Sequence, residues 1–221
     1  MVKVYIADAA VLKDKQLYRK LYTGVDASRR AKADKFLFEK DKRLSVAAGA
    51  LLQHALQMEN VRKPSIEIAP NGKPYIAGME SLYFNLSHSE EMVMCAIAEK
   101  ELGCDVEKRT SLDHALAKFV MTEYELEMIY GFESDEKQQE MFFRFWTLKE
   151  SYMKATGLGI RLEPKSFSMV LCNDNYIVKP PVDERVFNFK EYFLDDKYCY
   201  SCCSLSEQFC DKIIKINLGQ Y

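Results

Sequence analysis

Two long helical patterns, one in each half of the chain and each flanked by strand-like runs, constrain the fold more than any other feature. Leu44, Ala47, Ala48, Leu51, Leu52, Ala55 and Leu56 recur at intervals of three and four. That spacing predicts a helix over residues 41–58 with one side in a core. A second long helix is predicted over 136–156, stopping at Gly157. A short helix over 29–36 follows an N-cap at 26–28, and residues 112–131 also read as helical. Strands are predicted over 2–7, 66–68, 82–86, 92–98, 102–107, 166–171, 176–178, 186–194 and 198–205. Residues 70–74 (Pro-Asn-Gly-Lys-Pro) form a turn by composition, with Asn-Gly supplying positive φ angles, and residues 87–91 connect two strands. Strands and helices therefore interleave in both halves, which share a loose order of elements without any repeat at the residue level.

The 221 residues suit one large domain or two small ones at ~150 residues per domain. With 48% apolar and 29% charged residues, the composition excludes disorder, collagen and coiled coil. No apolar run approaches the ~20 residues of a membrane helix. Lys3 and Asp8 interrupt the first ten residues, so no signal-peptide core is present and a cytoplasmic location is expected. The seven cysteines are odd in number and follow no export signal, which favours reduced thiols. A zinc site from Cys199, Cys202, Cys203 and Cys210 is disfavoured, because no His lies nearby and paired Cys-x-x-Cys spacing is missing. These thiols are expected to act as small hydrophobes in a buried strand. Charge is uneven: residues 1–50 carry 12 Lys+Arg against 6 Asp+Glu, and the remainder 19 against 27. A basic first quarter on a slightly acidic chain suggests an anionic ligand rather than bulk nucleic-acid binding.

Four constellations could carry chemistry. On the strand 102–107, Asp105 and Glu107 project to one face, where two like charges repel and a hard cation such as magnesium would relieve them. The alternative is a strand end in solvent, with Glu107 paired to Lys108 or Arg109. On the helix 136–156, Glu150 and Lys154 share a face with Trp146. The apolar crowd Met141, Phe142, Phe143, Phe145 and Trp146 puts the start of that pair near the core, so the carboxylate needs a partner in a metal or Lys154. Ser87, His88 and Ser89, read as a loop, offer an oxyanion or phosphate seat. A Ser-His nucleophile is a poor reading, since adjacent residues seldom bond in that way and no Gly-x-Ser-x-Gly elbow exists. Lys73, on its rigid turn, is a possible phosphate clamp.

The order and spacing of these signals carry more than any one of them. Gly72-Lys73-Pro74, Asn85-Leu86-Ser87-His88-Ser89, Gly103-Cys104-Asp105-Val106-Glu107 and Trp146-Thr147-Leu148-Lys149-Glu150-Ser151-Tyr152-Met153-Lys154 together resemble the 4′-phosphopantetheinyl transferases, of the surfactin-synthetase-activating (Sfp) type by length. The resemblance runs from about residue 25 to about residue 171. It implies an α+β pseudo-dimer of two similar α/β halves, here 1–101 and 102–221, with the coenzyme site in the cleft between them. It implies transfer of the 4′-phosphopantetheine arm of coenzyme A to a serine of an acyl, peptidyl or aryl carrier protein, with release of adenosine 3′,5′-bisphosphate.

By the same resemblance, Asp105, Glu107 and Glu150 are the magnesium (Mg2+) ligands. Lys154 lies near the pyrophosphate, and Glu150 and Lys154 are the catalytic pair. Lys73, Ser87 and His88 meet the coenzyme, His88 beside the 3′-phosphate, and Arg29 and Lys32 fall where the family places basic residues. Phe119, Val120, Met121 and Met128 belong to the carrier-docking region or to the core. A monomer is expected, with no nucleic-acid or membrane partner. Two departures stand out. Glu90 replaces a glycine of many relatives and is expected to point away from the diphosphate. Cys104 replaces Ile or Val and faces away from Asp105. The competing readings are a magnesium-dependent nuclease, disfavoured by near-neutral charge and the lack of a basic stripe, and a non-catalytic carrier-binding relative.

Overall fold

The computed structural model describes residues 1–220 except 63, 174 and 183. Its elements fall into two runs of the same order. The first is β1 (Lys3–Asp8), α1 (Lys15–Gly24), α2 (Ala27–Asp34), α3 (Glu39–Met58), the hairpin β2 (Ile66–Ile68) and β3 (Pro74–Ile76), then β4 (Tyr83–Ser89) and β5 (Met92–Ala98). The second is β6 (Leu102–Lys108), α4 (His114–Val120), α5 (Glu123–Tyr130), α6 (Asp135–Thr156), the hairpin β7 (Ser168–Cys172) and β8 (Asn175–Lys179), then β9 (Asn188–Tyr192) and β10 (Tyr198–Ser204).

Each run closes an antiparallel three-strand sheet whose last strand lies in the middle, β1-β5-β4 and β6-β10-β9. Strand, two short helices, long helix, hairpin and two strands are thus duplicated, and the chain is a pseudo-dimer of two α/β halves. A final strand, β11 (Ile214–Lys215), breaks the scheme by pairing parallel to β1. The tail beyond β10 thus returns to the first sheet, and Leu218 is buried in the first core.

Strand periodicity explains the layering. In β1 and β5, Tyr5, Ala7, Val93, Cys95 and Ile97 face α3, whereas Val4, Ile6, Met94 and Ala96 meet Cys104, Val106, Tyr200 and Cys202 from the second sheet. The opposite face of that sheet packs under α6, where Cys199 and Cys203 join Phe145, Leu148 and Tyr152. The order of layers is helix, sheet, sheet, helix. All seven cysteines are free, and Cys199, Cys202 and Cys203 are buried. Burial pushes the thiols of Cys104 and Cys199 up to about 12.

Three local expectations change. The helical region 112–131 is two helices, because Thr122 and Glu125 form a reciprocal capping box that starts α5. Residues 87–89 are not a loop: β4 continues to Ser89, and the turn is made by Glu90, in the left-handed region at φ 54°, with Glu91. Within the Asn-Gly turn only Gly72 takes a positive φ, 86°.

Candidate active site

The seam between β4 and β6 is built from side chains. Asn85 Oδ1 accepts from the Cys104 amide at 2.9 Å, Ser87 Oγ from the Val106 amide at 3.4 Å and Ser89 Oγ from the Lys108 amide at 3.1 Å. Residues 85, 87 and 89 alternate on one face of β4, and their short polar side chains stand in for a backbone ladder. The same hydroxyls reach the acidic residues of β6. Ser87 Oγ donates to Asp105 Oδ1 at 2.7 Å and Ser89 Oγ to Glu107 Oε2 at 2.6 Å.

From the other side, α6 presses Lys154 into the seam. Its ammonium lies 2.5 Å from Asp105 Oδ1, 3.1 Å from Ser87 Oγ and 3.3 Å from the Cys104 carbonyl. Gly103 makes that approach possible. A Cβ at this position would overlap the Ser151 carbonyl oxygen and stand 2.5 Å from the Ala155 amide nitrogen.

The electrostatics of the group are unbalanced. Asp105 is 2% exposed, and while Oδ1 holds two partners, its buried Oδ2 has none. Burial, with the charge of Asp105, pushes the Glu107 carboxyl up to about 7. Burial raises Glu150 as well, Lys154 lowering it and Asp105 adding to the rise. Burial disfavours the Lys154 ammonium, but Asp105, Cys104 and Glu150 outweigh it and the pKa rises. Loss of surrounding water, then Lys154 and Lys32, depress the His88 imidazole below its ordinary value, although the residue lies on the exposed side of β4. Three carboxylates and Lys154 therefore share one field, with His88 and the cation of Lys32 beside it.

Among the described residues, no three His, Cys, Asp or Glu side chains stand close enough to hold a metal as they are. The donor chemistry nevertheless fits a hard cation: all-oxygen ligands, mutual repulsion, and an orphaned buried carboxylate oxygen on Asp105.

Two family models meet end to end on the chain. The model of the 4′-phosphopantetheinyl transferase superfamily matches residues 101–203, and that of the 4′-phosphopantetheinyl transferase N-terminal region matches 14–100. The 4′-phosphopantetheinyl transferase psf-1 of Bacillus pumilus is 30% identical over 213 residues, 92% of this chain and 90% of its own. The chain belongs to the 4′-phosphopantetheinyl transferases. A transferase of the same name from Bacillus subtilis is 29% identical, covering 88% of both chains, and the transferase Sfp of Bacillus subtilis strain 168 is 26% identical, covering 87% and 88%. Among solved structures, a holo-(acyl-carrier-protein) synthase from Bacillus anthracis in complex with coenzyme A (3′,5′-ADP) is 17% identical. It covers 47% of this chain and 93% of its own, with a TM-score of 0.41.

In this transferase the remaining expected site residues are less closely gathered. Arg29 lies along α3, its Cγ where a side chain on Gly49 would be, and burial lowers its pKa. Lys32 is near enough to His88 and Arg29 for their charges to interact. Lys73 sends its ammonium to three main-chain carbonyls, Lys154 at 2.7 Å, Leu102 at 2.9 Å and Ala155 at 3.3 Å. Glu90 is drawn off by Lys40, 2.8 Å away. Cys104 is fully buried in the core between the sheets.

One residue escaped the sequence reading. Arg43, on α3 two residues beyond Asp41, has a buried Nε without a partner. Its surplus of donors was visible only as part of the basic first quarter. Of the expected docking residues, Phe119 and Met128 are exposed, with Leu116 and Tyr124 beside them in the sequence, whereas Val120 and Met121 are core.

Proposed function

We propose that this 4′-phosphopantetheinyl transferase performs its reaction in the cleft where β4, β6 and α6 meet, moving the phosphopantetheine arm of coenzyme A to a serine of an acyl, peptidyl or aryl carrier protein. The observation that carries this reading is the orphaned carboxylate oxygen of Asp105 beside Lys154, in a cleft made by both halves of the chain. Asp105, Glu107 and Glu150 would hold a magnesium ion, which when bound neutralises charge on the diphosphate.

Lys154, fixed against Asp105 and Ser87, stabilises charge as it collects on the leaving bisphosphate. The acceptor serine oxygen forms a bond to the phosphorus bearing the pantetheine arm. The bond from that phosphorus to the bridging oxygen breaks, and adenosine 3′,5′-bisphosphate leaves with the electron pair. Glu150, on the α6 face that carries Lys154, takes the serine proton. Ser87, His88, Arg29 and Lys32 contact the coenzyme, His88 beside the 3′-phosphate. Lys73 lines a cavity of about 210 Å3 that reaches Lys154, so the coenzyme passes over its turn. Phe119 and Met128, exposed on α4 and α5, receive the carrier protein.

Intact-mass spectrometry of an apo carrier protein, incubated with the enzyme, coenzyme A and magnesium, tests this reading. A mass gain of one phosphopantetheine that a chelator abolishes is the expected result. A folded enzyme that modifies no carrier type and does not bind coenzyme A would overturn it.

A further inference from the structure

We propose that the ammonium of Lys73 is a positioning group, a helix cap reaching from the first half of the chain to the C-terminal end of α6, and that it acts on the reaction by holding Lys154 against Asp105. The inference rests on the cleft being the reaction centre.

The C-terminal turn of a helix leaves carbonyls without intrahelical partners, and a nearby cation both bonds them and opposes the helix dipole. In α6 the last-turn carbonyls include Ala155 and Lys154, the latter also reached by the Gly157 amide at 3.3 Å, and the cation that meets both is Lys73, 81 and 82 residues away in sequence. The same ammonium takes the Leu102 carbonyl, at the start of β6. One charged group therefore joins α6 and β6 where they cross.

The crossing is where the chemistry is set. Gly103, next to Leu102, lets the α6 backbone lie directly on β6, and the 2.5 Å pair between Lys154 and Asp105 forms two residues further along the strand. Asn71 reinforces the joint, its Nδ2 donating to the Gly157 carbonyl at 3.1 Å just past the helix end. The turn of residues 71–73 is thus a clasp on the last turn of α6. A lysine bonded to three carbonyls has its donors committed, and burial already lowers its pKa. A coenzyme phosphate would have to compete with contacts that close the fold.

Two roles for Lys73 give opposite kinetics. A phosphate ligand acts on coenzyme binding and raises KM, whereas a positioning group acts on the transition state and lowers kcat. The test compares wild type, Lys73→Met, Lys73→Arg and Asn71→Ala, using carrier modification with coenzyme A and with 3′-dephospho-coenzyme A. Folding is checked by circular dichroism, and active protein is counted by coenzyme binding.

For Lys73→Met we expect kcat to fall at least tenfold. The KM for coenzyme A should stay within about twofold, and the preference for coenzyme A over its 3′-dephospho form should be unchanged. Lys73→Arg should recover part of kcat, since a guanidinium can also donate to several carbonyls, and Asn71→Ala should show a smaller loss of the same kind. A large rise in KM, or collapse of the preference between the two coenzymes, would make Lys73 a coenzyme ligand and overturn the inference. A lowered melting temperature with kcat and KM unchanged per folded molecule would overturn it as well, leaving a purely structural lysine. Wild type that modifies no carrier would count against the cleft assignment itself rather than against the role of Lys73.

Discussion

The duplicated topology offers two equivalent seams, and only one is left open. Among the described residues, β4 and β6 are bridged by side chains, and there the molecule gathers Ser87, Asp105, Glu107 and Lys154. By the same topology β9 would stand beside β1. That second seam is filled by the C-terminal tail. Residues 214 and 215 pair with β1, the Val2 amide donates to the Gln208 carbonyl at 2.7 Å, and the Cys210 amide donates back to the Val2 carbonyl at 2.8 Å. From β9, Tyr192 donates to the Cys210 carbonyl at 3.2 Å, and Lys190 pairs with Asp211 at 3.2 Å. A duplicated scaffold gives two chances to build a cleft. One seam is closed by main-chain bonds, and the one bridged by short side chains keeps an unsatisfied carboxylate.

The two long helices differ in the same sense. The buried positions of α3 are apolar or glycine apart from Ser45, whereas α6 buries Thr147, Lys149 and Ser151. Lys149 and Glu125 form an ion pair with no exposed side-chain surface. Lys149 also donates to the carbonyls of Pro164 and Phe167, and Glu125 accepts from the amides of Met169 and Thr122. The helix bearing Glu150 is therefore tied to α5 and β7 by directional bonds. Those bonds hold a register that apolar contact alone leaves looser.

Breaking the open seam should have the largest effect. Asp105→Ala and Glu150→Ala should each lower carrier modification by about three orders of magnitude, as removal of a preorganised charge at a reacting group does, with a folded protein by circular dichroism. Next comes the hub under α6. Lys149→Met leaves Glu125 buried without its cation and should cost about 3 kcal/mol or more in urea unfolding. A loss below about 1 kcal/mol would show that the two helices are held alike.

A smaller effect concerns pH. His88 titrates below its ordinary value of ~6.5, so the unfolded chain binds the extra proton first as pH falls. Its contribution to stability is complete above about 6.5 and is lost as pH falls through the folded value. Glu107, raised to about 7, acts in the opposite direction between its unfolded and folded values. The two are separated by comparing melting temperatures from pH 8 to pH 5 with His88→Gln, which should lack the acidic decline that His88 contributes. Parallel curves would contradict the lowered His88 value as a whole, its desolvation included.

Much of this arrangement was legible in the sequence. The spacing of Leu44 to Leu56 gave α3 within two residues, and the apolar run 92–98 gave β5. Asp105 and Glu107 were placed on one face by strand period alone, and Glu150 and Lys154 by helix period. What stayed hidden depends on distant partners. α1 is the exception, because Leu17, Tyr18, Leu21 and Tyr22 recur at helical spacing and pack on the first core. β4 runs on through Ser87, His88 and Ser89, a loop by composition, because β5 pairs with it as far as Ser89 and β6 supplies amides for the two serines. β11 is two residues long and exists only as an addition to β1. Lys73 reads as a phosphate clamp on a rigid turn, since its carbonyl partners lie 29 to 82 residues away.

The most direct test sets the two seams against each other in one intact-mass assay of an apo carrier protein with coenzyme A and magnesium. Asp105→Asn keeps the shape of the open seam and removes its charge, and Lys190→Met removes the ion pair of the closed one. Loss of the phosphopantetheine mass gain with Asp105→Asn, and rates within about twofold of wild type with Lys190→Met, whose pair with Asp211 is a surface contact, is the predicted result. Retained transfer by Asp105→Asn, or its loss in Lys190→Met alone, would contradict the placement of the reaction between β4, β6 and α6.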